Sequence, residues 1–252
     1  MSLLCAAPLL WMLGTSLRSR GLGAVNPLPW PPSLANYFTV VRSLHVGRLL
    51  ANTMAVSVAI AVTQLFVCLL AGYAMAMWEF PGRRLVMLAF LGVWLVPFQA
   101  TMVPNYLLLN RLGLENTLVG LVVPNMVSGL ALVMLRQHLL SFPRELIDAA
   151  RLDGHSSWVI LWRVVVPNLR PALAALAILL FVTAWNDYQW PALVLQRADS
   201  VIQVGIRGFL GVEGDDWGAI MAASSLACLP TFGLFLFFRR RVTDAFIRSG
   251  LH

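Results

Sequence analysis

Residues 143–171 read PRELIDAARLDGHSSWVILWRVVVPNLRP and set Glu145, Asp148, Arg151, Asp153 and Arg163 between two long apolar stretches. Carboxylates this close could serve as a general acid and base. Glu145 and Asp148, at i and i+3, would share one helix face. Helix starts collect acidic residues for electrostatic reasons alone, however, so the pair is weak support for catalysis. A second use is mechanical. Leu146, Ala149 and Ala150 form a small-residue face that lets another protein approach closely, and mixed charges set register across such a contact. A third is an amphipathic connection lying on lipid; such helices are Lys/Arg-rich, and three carboxylates would oppose anionic headgroups.

No other constellation in the chain competes. His45, His138, His155 and His252 show no metal-ligand spacing. Cys5, Cys68 and Cys228 fall singly within apolar runs and read as small hydrophobes. All 18 basic residues are Arg. A phosphate-cradling P-loop needs a Lys after its glycines, so that nucleotide site is excluded from this chain. No nucleophile–base pair marks a membrane enzyme.

The elements that position the charged run are membrane helices. The 252 residues are 59% hydrophobic and 12% charged, with mean hydropathy +0.78, against about a quarter charged in soluble domains. The net charge of +7 does not indicate nucleic acid, because the Arg residues flank apolar segments as membrane anchors do. Spans of about 20 apolar residues fall at 49–77, 85–109, 117–140, 170–193 and 217–238. A sixth, 2–17, would cover only about 24 Å of a core about 30 Å thick. It lacks the positive flank of a signal peptide and reads as a first span shortened at its start. The whole chain, 1–252, reads as one transmembrane domain.

Eleven Arg lie on one side of these spans and seven on the other, which makes the 143–168 loop and both termini cytoplasmic. On the other side, NPLPWPPSLANY (26–37) predicts an extended connection, and 196–216 an acidic, Gly-containing loop.

Within the charged run, Pro143 suits a first helical position. LDG (152–154) interrupts that helix at a glycine, and Ser156 or Ser157 can cap a second one through Trp158 and Trp162. Pro167 and Pro171 then close it and open the next span. The product is a helix–turn–helix knuckle with an interfacial Trp pair.

DAARLDGH (148–155), with Val166–Pro167 downstream, resembles the EAA loop of ABC importer permeases. Asp148 stands where that pattern has Glu, and His155 where it has Ala. PLLWMLGTSLR (8–18), PPSLANY (31–37), FPGRR (80–84), LRQHLLSFPREL (135–146), WNDYQWP (185–191) and MAASSLACLP (221–230) resemble, in that order, the MalG-like branch of carbohydrate importers. FPGRR and LRQH are similar to stretches in actinobacterial amino-sugar and glycerophosphodiester permeases. The tail VTDAFIRSGLH departs from the family's ending.

The resemblance implies an all-α, polytopic type I ABC importer fold with six transmembrane helices and a cytoplasmic coupling helix. It implies that Glu145, Asp148, Ala149, Ala150, Asp153, Gly154 and His155 meet a separate ATPase. It further implies a second permease subunit, two ATP-binding subunits and an extracytoplasmic solute-binding protein. ATP and Mg would bind in the partner ATPase, with no cofactor in this chain, and the cargo would be a sugar or sugar-like solute.

For the solute path, Trp185, Asn186, Asp187 and Tyr188 combine flat rings with polar groups. Equally, they fit an aromatic belt at the bilayer surface. Gln99, Asn105 and Asn125 could line a pore or join helices by hydrogen bonds. The rival function is an ion-coupled carrier working without an ATPase. Such carriers generally place ionisable residues within their spans, where this chain offers chiefly Asp187.

Overall fold

The computed structural model describes residues 2–18, 31–196, 200–210 and 216–249, with side chains undescribed at 2–5 and 237–249. The start of the NPLPWPPSLANY connection, Asp199, Glu213, Asp215 and the side chains of Cys5 and of the Arg-rich tail therefore lie outside it. Among the described residues every regular element is helical.

Helix α1 (Ser2–Ser16) is followed by α2 (Ala35–Ser43) and by the long α3 (Val46–Met77). Next come α4 (Arg83–Leu95), α5 (Phe98–Arg111), α6 (Leu118–Val122) and, after a 3-10 turn, α7 (Gly129–Leu140). The charged run forms α8 (Arg144–Leu152), α9 (Ser157–Ile160), a π turn over Leu161–Val165 and α10 (Val166–Asn168). The remaining helices are α11 (Arg170–Trp185), α12 (Gln189–Val194), α13 (Ile202–Arg207) and α14 (Trp217–Ser249).

Among the described residues, three segments are long and apolar enough to span by themselves: Val46–Met77, Arg170–Val194 and Trp217–Leu236. The expected spans 85–109 and 117–140 are each broken, α4 and α5 meeting at 96° and α6 and α7 at 47°. Pro97 causes the sharper bend. It offers no N–H, and it forces Val96 to an extended ψ of 122°. In the second break Ser128 accepts a hydrogen bond from the Ala131 N–H (3.2 Å) and starts α7 afresh. The 15-residue α1 rises only about 22 Å, so six crossings require the two bent pairs and this short helix.

Two helices were not foreseen. In the 26–37 connection, expected to be extended, the chain enters α2 at Ala35, and α13 interrupts the 196–216 loop. Helix α2 exists because Asn36 docks it. The buried Asn36 amide donates to the Ser16 and Arg18 carbonyls at 2.9 and 2.8 Å, satisfying orphan carbonyls at the end of α1. The Tyr37 hydroxyl sits 2.8 Å from Ser16 Oγ and 2.9 Å from Ser225 Oγ, tying α1, α2 and α14 together.

The largest buried cluster joins α3, α7, α8, the π turn and α11. By contrast α4 has no buried residue, and its Leu85 and Val93, like Leu95 at its end, stand open on the apolar surface that lipid or a partner helix would cover. Against lipid, tails compete equally for such side chains, so helices associate by close packing and hydrogen bonds. Gly72 of α3 illustrates this: a Cβ there would lie 3.4 Å from the Arg136 backbone nitrogen and 3.5 Å from a Leu139 methyl. A Gly72→Val protein should lose about 1–3 kcal/mol of stability through overpacking. Its thermal unfolding in detergent should fall below that of Gly92→Val, whose site has open space.

Candidate functional site: an outward knuckle and a polar cleft

Helix α8 turns two unlike faces. Ile147 is 2% exposed and belongs to the buried cluster with Ala150, while Leu152 is 90% exposed. Glu145, Leu146, Asp148 and Ala149 are also exposed. The expected small-residue face therefore divides: Ala149 looks outward and Ala150 packs into the bundle. At 100° per residue, Ile147 and Ala150 share one side, and Glu145, Ala149 and Leu152 fall opposite. Asp148 pairs with Arg151 across one turn at 3.5 Å, a solvated contact of little energetic weight.

The turn after α8 is a double hydrogen-bonded cap. The Gly154 N–H donates to the Arg151 carbonyl at 3.0 Å, and the His155 N–H to the Ala150 carbonyl at 3.1 Å. Gly154 has φ +79°, the left-handed conformation this cap requires. Pro143 sits at the cap of α8, one residue before the first-helical position expected of it. Of the two candidate serines, Ser156 is the cap of α9, accepting from the Val159 N–H at 3.5 Å. Pro167 does not end this helical stretch. The π turn just before it absorbs the missing N–H and lets α10 continue to Asn168.

The second arm of the knuckle is anchored as firmly as the first. Ile160, Leu161 and Val165 are each at most 1% exposed and join the same cluster. Trp162 stacks on Phe66 of α3 with ring centroids 6.4 Å apart, and Trp158 meets Trp162 edge-on at 5.6 Å. The Tyr73 hydroxyl of α3 donates to the Ser157 carbonyl at 3.4 Å. Neither Phe66 nor Tyr73 was singled out by sequence, where each is one more aromatic in an apolar run.

The polar residues proposed for a solute path separate into three groups. Asn125, Asn186 and Asp187 converge with Gln64 and Thr183 on a cleft of about 280 Å³, whose apolar wall includes Phe98 and Leu180. Gln64 donates to the Asn125 carbonyl at 2.8 Å, Asn125 to Leu121 at 3.0 Å and Asn186 to Val182 at 2.9 Å. Asp187 accepts from the Trp190 N–H at 3.4 Å, where it helps start α12.

Trp185 belongs elsewhere. It is 2% exposed, and its indole N–H donates to the Ala227 carbonyl of α14 at 3.2 Å. Trp190 is likewise buried, its indole bound to the Gly120 carbonyl at 3.3 Å. Both rings pin the break between α11 and α12, and of the residues between them Asn186 and Asp187 line the cleft. Tyr188 is exposed, Gln99 bonds to Gln189 at 2.9 Å, and Asn105 is half-buried on α5 away from the cleft lining. Gln64 was missed, although an amide in the middle of a 32-residue apolar helix is itself a signal in the sequence.

A family model described as "binding-protein-dependent transport system inner membrane component" matches residues 68–248. The chain belongs to this family. It is a permease subunit of an ABC importer. The permease is similar to the arabinooligosaccharides transport system permease protein of Halalkalibacterium halodurans, with 34% identity over 75% of this chain and 68% of that one. It is also similar to the diacetylchitobiose uptake system permease protein of Streptomyces coelicolor, with 29% identity over 94% and 88%. Its fold matches a chain of a bacterial ABC transporter involved in import of the acidic polysaccharide alginate, with TM-score 0.83 and 22% identity over 95% and 91%. The matched family segment takes in the knuckle from α8 to α10 and the cleft lining except Ile60 and Gln64.

The cap geometry distinguishes conformation from space at Gly154 of the permease, since among the described residues an added Cβ there meets nothing within 4 Å beyond its chain neighbours. Gly154→Asn, which tolerates a positive φ, should retain most uptake. Gly154→Val should lose most of it while the chain still reaches the membrane, because a β-branched residue at that φ carries about 1–3 kcal/mol of strain. Uptake and membrane abundance measured side by side would check both.

Proposed function

We propose that α8 and its capped turn receive mechanical work from a separate ATPase, and that the chain forms half of the pathway for a sugar or sugar-like solute. The observation that carries this reading is the split character of the knuckle. Its inner side is packed into α3, α7 and α11, while Leu152, Ala149, Glu145 and Asp148 project away from the bundle. An exposed Leu beside an Ala, rimmed by carboxylates, has the makeup of an interface with an apolar centre and a charged edge.

In this reading ATP, with Mg, closes a pair of ATP-binding subunits that hold the knuckle. Their movement displaces α8 and α9, and the attached spans pivot to expose the path to a loaded extracytoplasmic binding protein. A second permease chain supplies the other half of the pathway. Ala149 and Leu152 fill the ATPase surface; Glu145, Asp148 and Asp153 set register against its basic side chains. Gly154 and the His155 N–H hold the turn, and Ala150 seats it against the bundle. The Arg distribution supports a cytoplasmic knuckle and cytoplasmic termini. The sugar class is supported by the named cargo of the two relatives, and by a cleft joining amides and a carboxylate to apolar walls.

Leu152→Glu and Asp148→Arg should each leave the permease in the membrane and weaken its hold on the ATPase. Full burial of a Leu is worth about 1.5–3 kcal/mol, so Leu152→Ala should reduce association at least tenfold. Co-purification with the ATPase, and ATP hydrolysis stimulated by loaded binding protein, are the measurements. Undiminished association in both Leu152 variants would contradict the assignment of this face.

A further inference from the structure

We propose that the cleft between the α3–α4 turn and α7 binds the headgroup of an anionic phospholipid. This cleft is separate from the knuckle's outward face and from the polar cleft. It holds about 810 Å³ and is lined by Arg83 and Arg84 from the start of α4 and by Arg136 from α7. Glu79 is the carboxylate on its wall, so three guanidinium groups face one acid. Phe80, Met87 and Leu88 complete the lining and give it an apolar side.

Arg136 supplies the observation that points to a ligand. Its Nε is buried and has no hydrogen-bond partner among the described residues. A buried donor left unpaired is costly, and a charged one more so, which is relieved when an anionic oxygen enters. Arg83 is held at the rim, its Nη1 donating to the Trp78 carbonyl at 3.2 Å. Guanidinium groups engage phosphate oxygens in pairs of hydrogen bonds.

The position in the fold selects a lipid over a soluble phosphate. The cleft opens where α3 ends at Met77, and Tyr73 near that end bonds to Ser157 of the knuckle. Helix α7 leads into α8 through residues 141–143 alone. The cleft therefore lies at the membrane surface on the knuckle side, with exposed apolar residues of α4 beside it. Basic pockets between helices at that level hold lipid headgroups, and Phe80, Met87 and Leu88 would meet the upper acyl chain. Naming the leaflet cytoplasmic rests on the orientation proposed above; the site itself does not.

The test uses the purified whole importer in phosphatidylcholine nanodiscs containing a photoactivatable phosphatidylglycerol. Label should map to peptides spanning 79–88 and 136, and unlabelled phosphatidylglycerol should displace it while inorganic phosphate should not. At about fivefold per basic residue near a membrane surface, Arg84→Gln should weaken labelling about fivefold and Arg84→Gln/Arg136→Gln about 30-fold. Arg111→Gln, at the other end of α5, should leave it unchanged. Displacement by inorganic phosphate, equal displacement by phosphatidylcholine, or undiminished labelling in the double variant would overturn the site. ATP-driven uptake in the same preparation separates this proposal from the coupling reading. Coupled uptake without labelling of the cleft ends the lipid site and leaves the permease mechanism standing.

Discussion

The knuckle has no core of its own. Ile147 and Ala150 of α8, with Ile160, Leu161 and Val165 beyond the turn, are buried in one cluster with Leu69 of α3, Leu135 of α7 and Leu180 of α11. Close-packed interiors have little room to deform, so a push on one member displaces its neighbours. A surface loop of ordinary length would absorb such a push by bending at its ends. Here two arms are seated in the bundle and the turn between them is held by backbone hydrogen bonds. In the proposed coupling role the segment would be the short arm of a lever whose long arms are the membrane helices, and its seating in the bundle is what makes that role physically reasonable.

Lipid imposes the second constraint, that backbone polar groups find partners within the protein. The breaks at Val96–Pro97, at 126–128 and at 186–188 strip helical hydrogen bonds from segments otherwise apolar enough to span. The chain answers with side chains: Ser128 caps α7, Asn125 and Asn186 bond back to carbonyls one turn earlier, and Asp187 accepts from α12. Residues recruited for this purpose are polar groups within otherwise apolar segments, and three of them line one cleft. Repair of a broken helix and the lining of the polar cleft thus draw on the same side chains.

Much of this was legible along the chain. Long apolar runs predicted the spans, and LDGH between a helical run and a serine predicted a capped turn, because caps depend on residues a few positions apart. The broken spans were less legible. Pro97 and Pro124 stand in plain view, but a proline inside an apolar run can kink a helix slightly or end it, and neighbouring helices decide which. Helix α2 was invisible for a related reason. Its stability comes from Asn36 reaching carbonyls about twenty residues back, a pairing with no local signature.

The sequence by itself determined that the chain lives in lipid, that it carries no nucleotide loop of its own, and that a charged, glycine-turned elbow interrupts its spans. Each follows from composition or from neighbours in the chain. Only the tertiary structure decided that Ala150 faces inward while Ala149 faces out, that Trp185 and Trp190 are pins, and that Asn125, Asn186, Asp187 and Gln64 meet. Helical periodicity says which residues share a side, but which side is buried depends on the partner surface, and that surface is assembled from helices far apart in the chain.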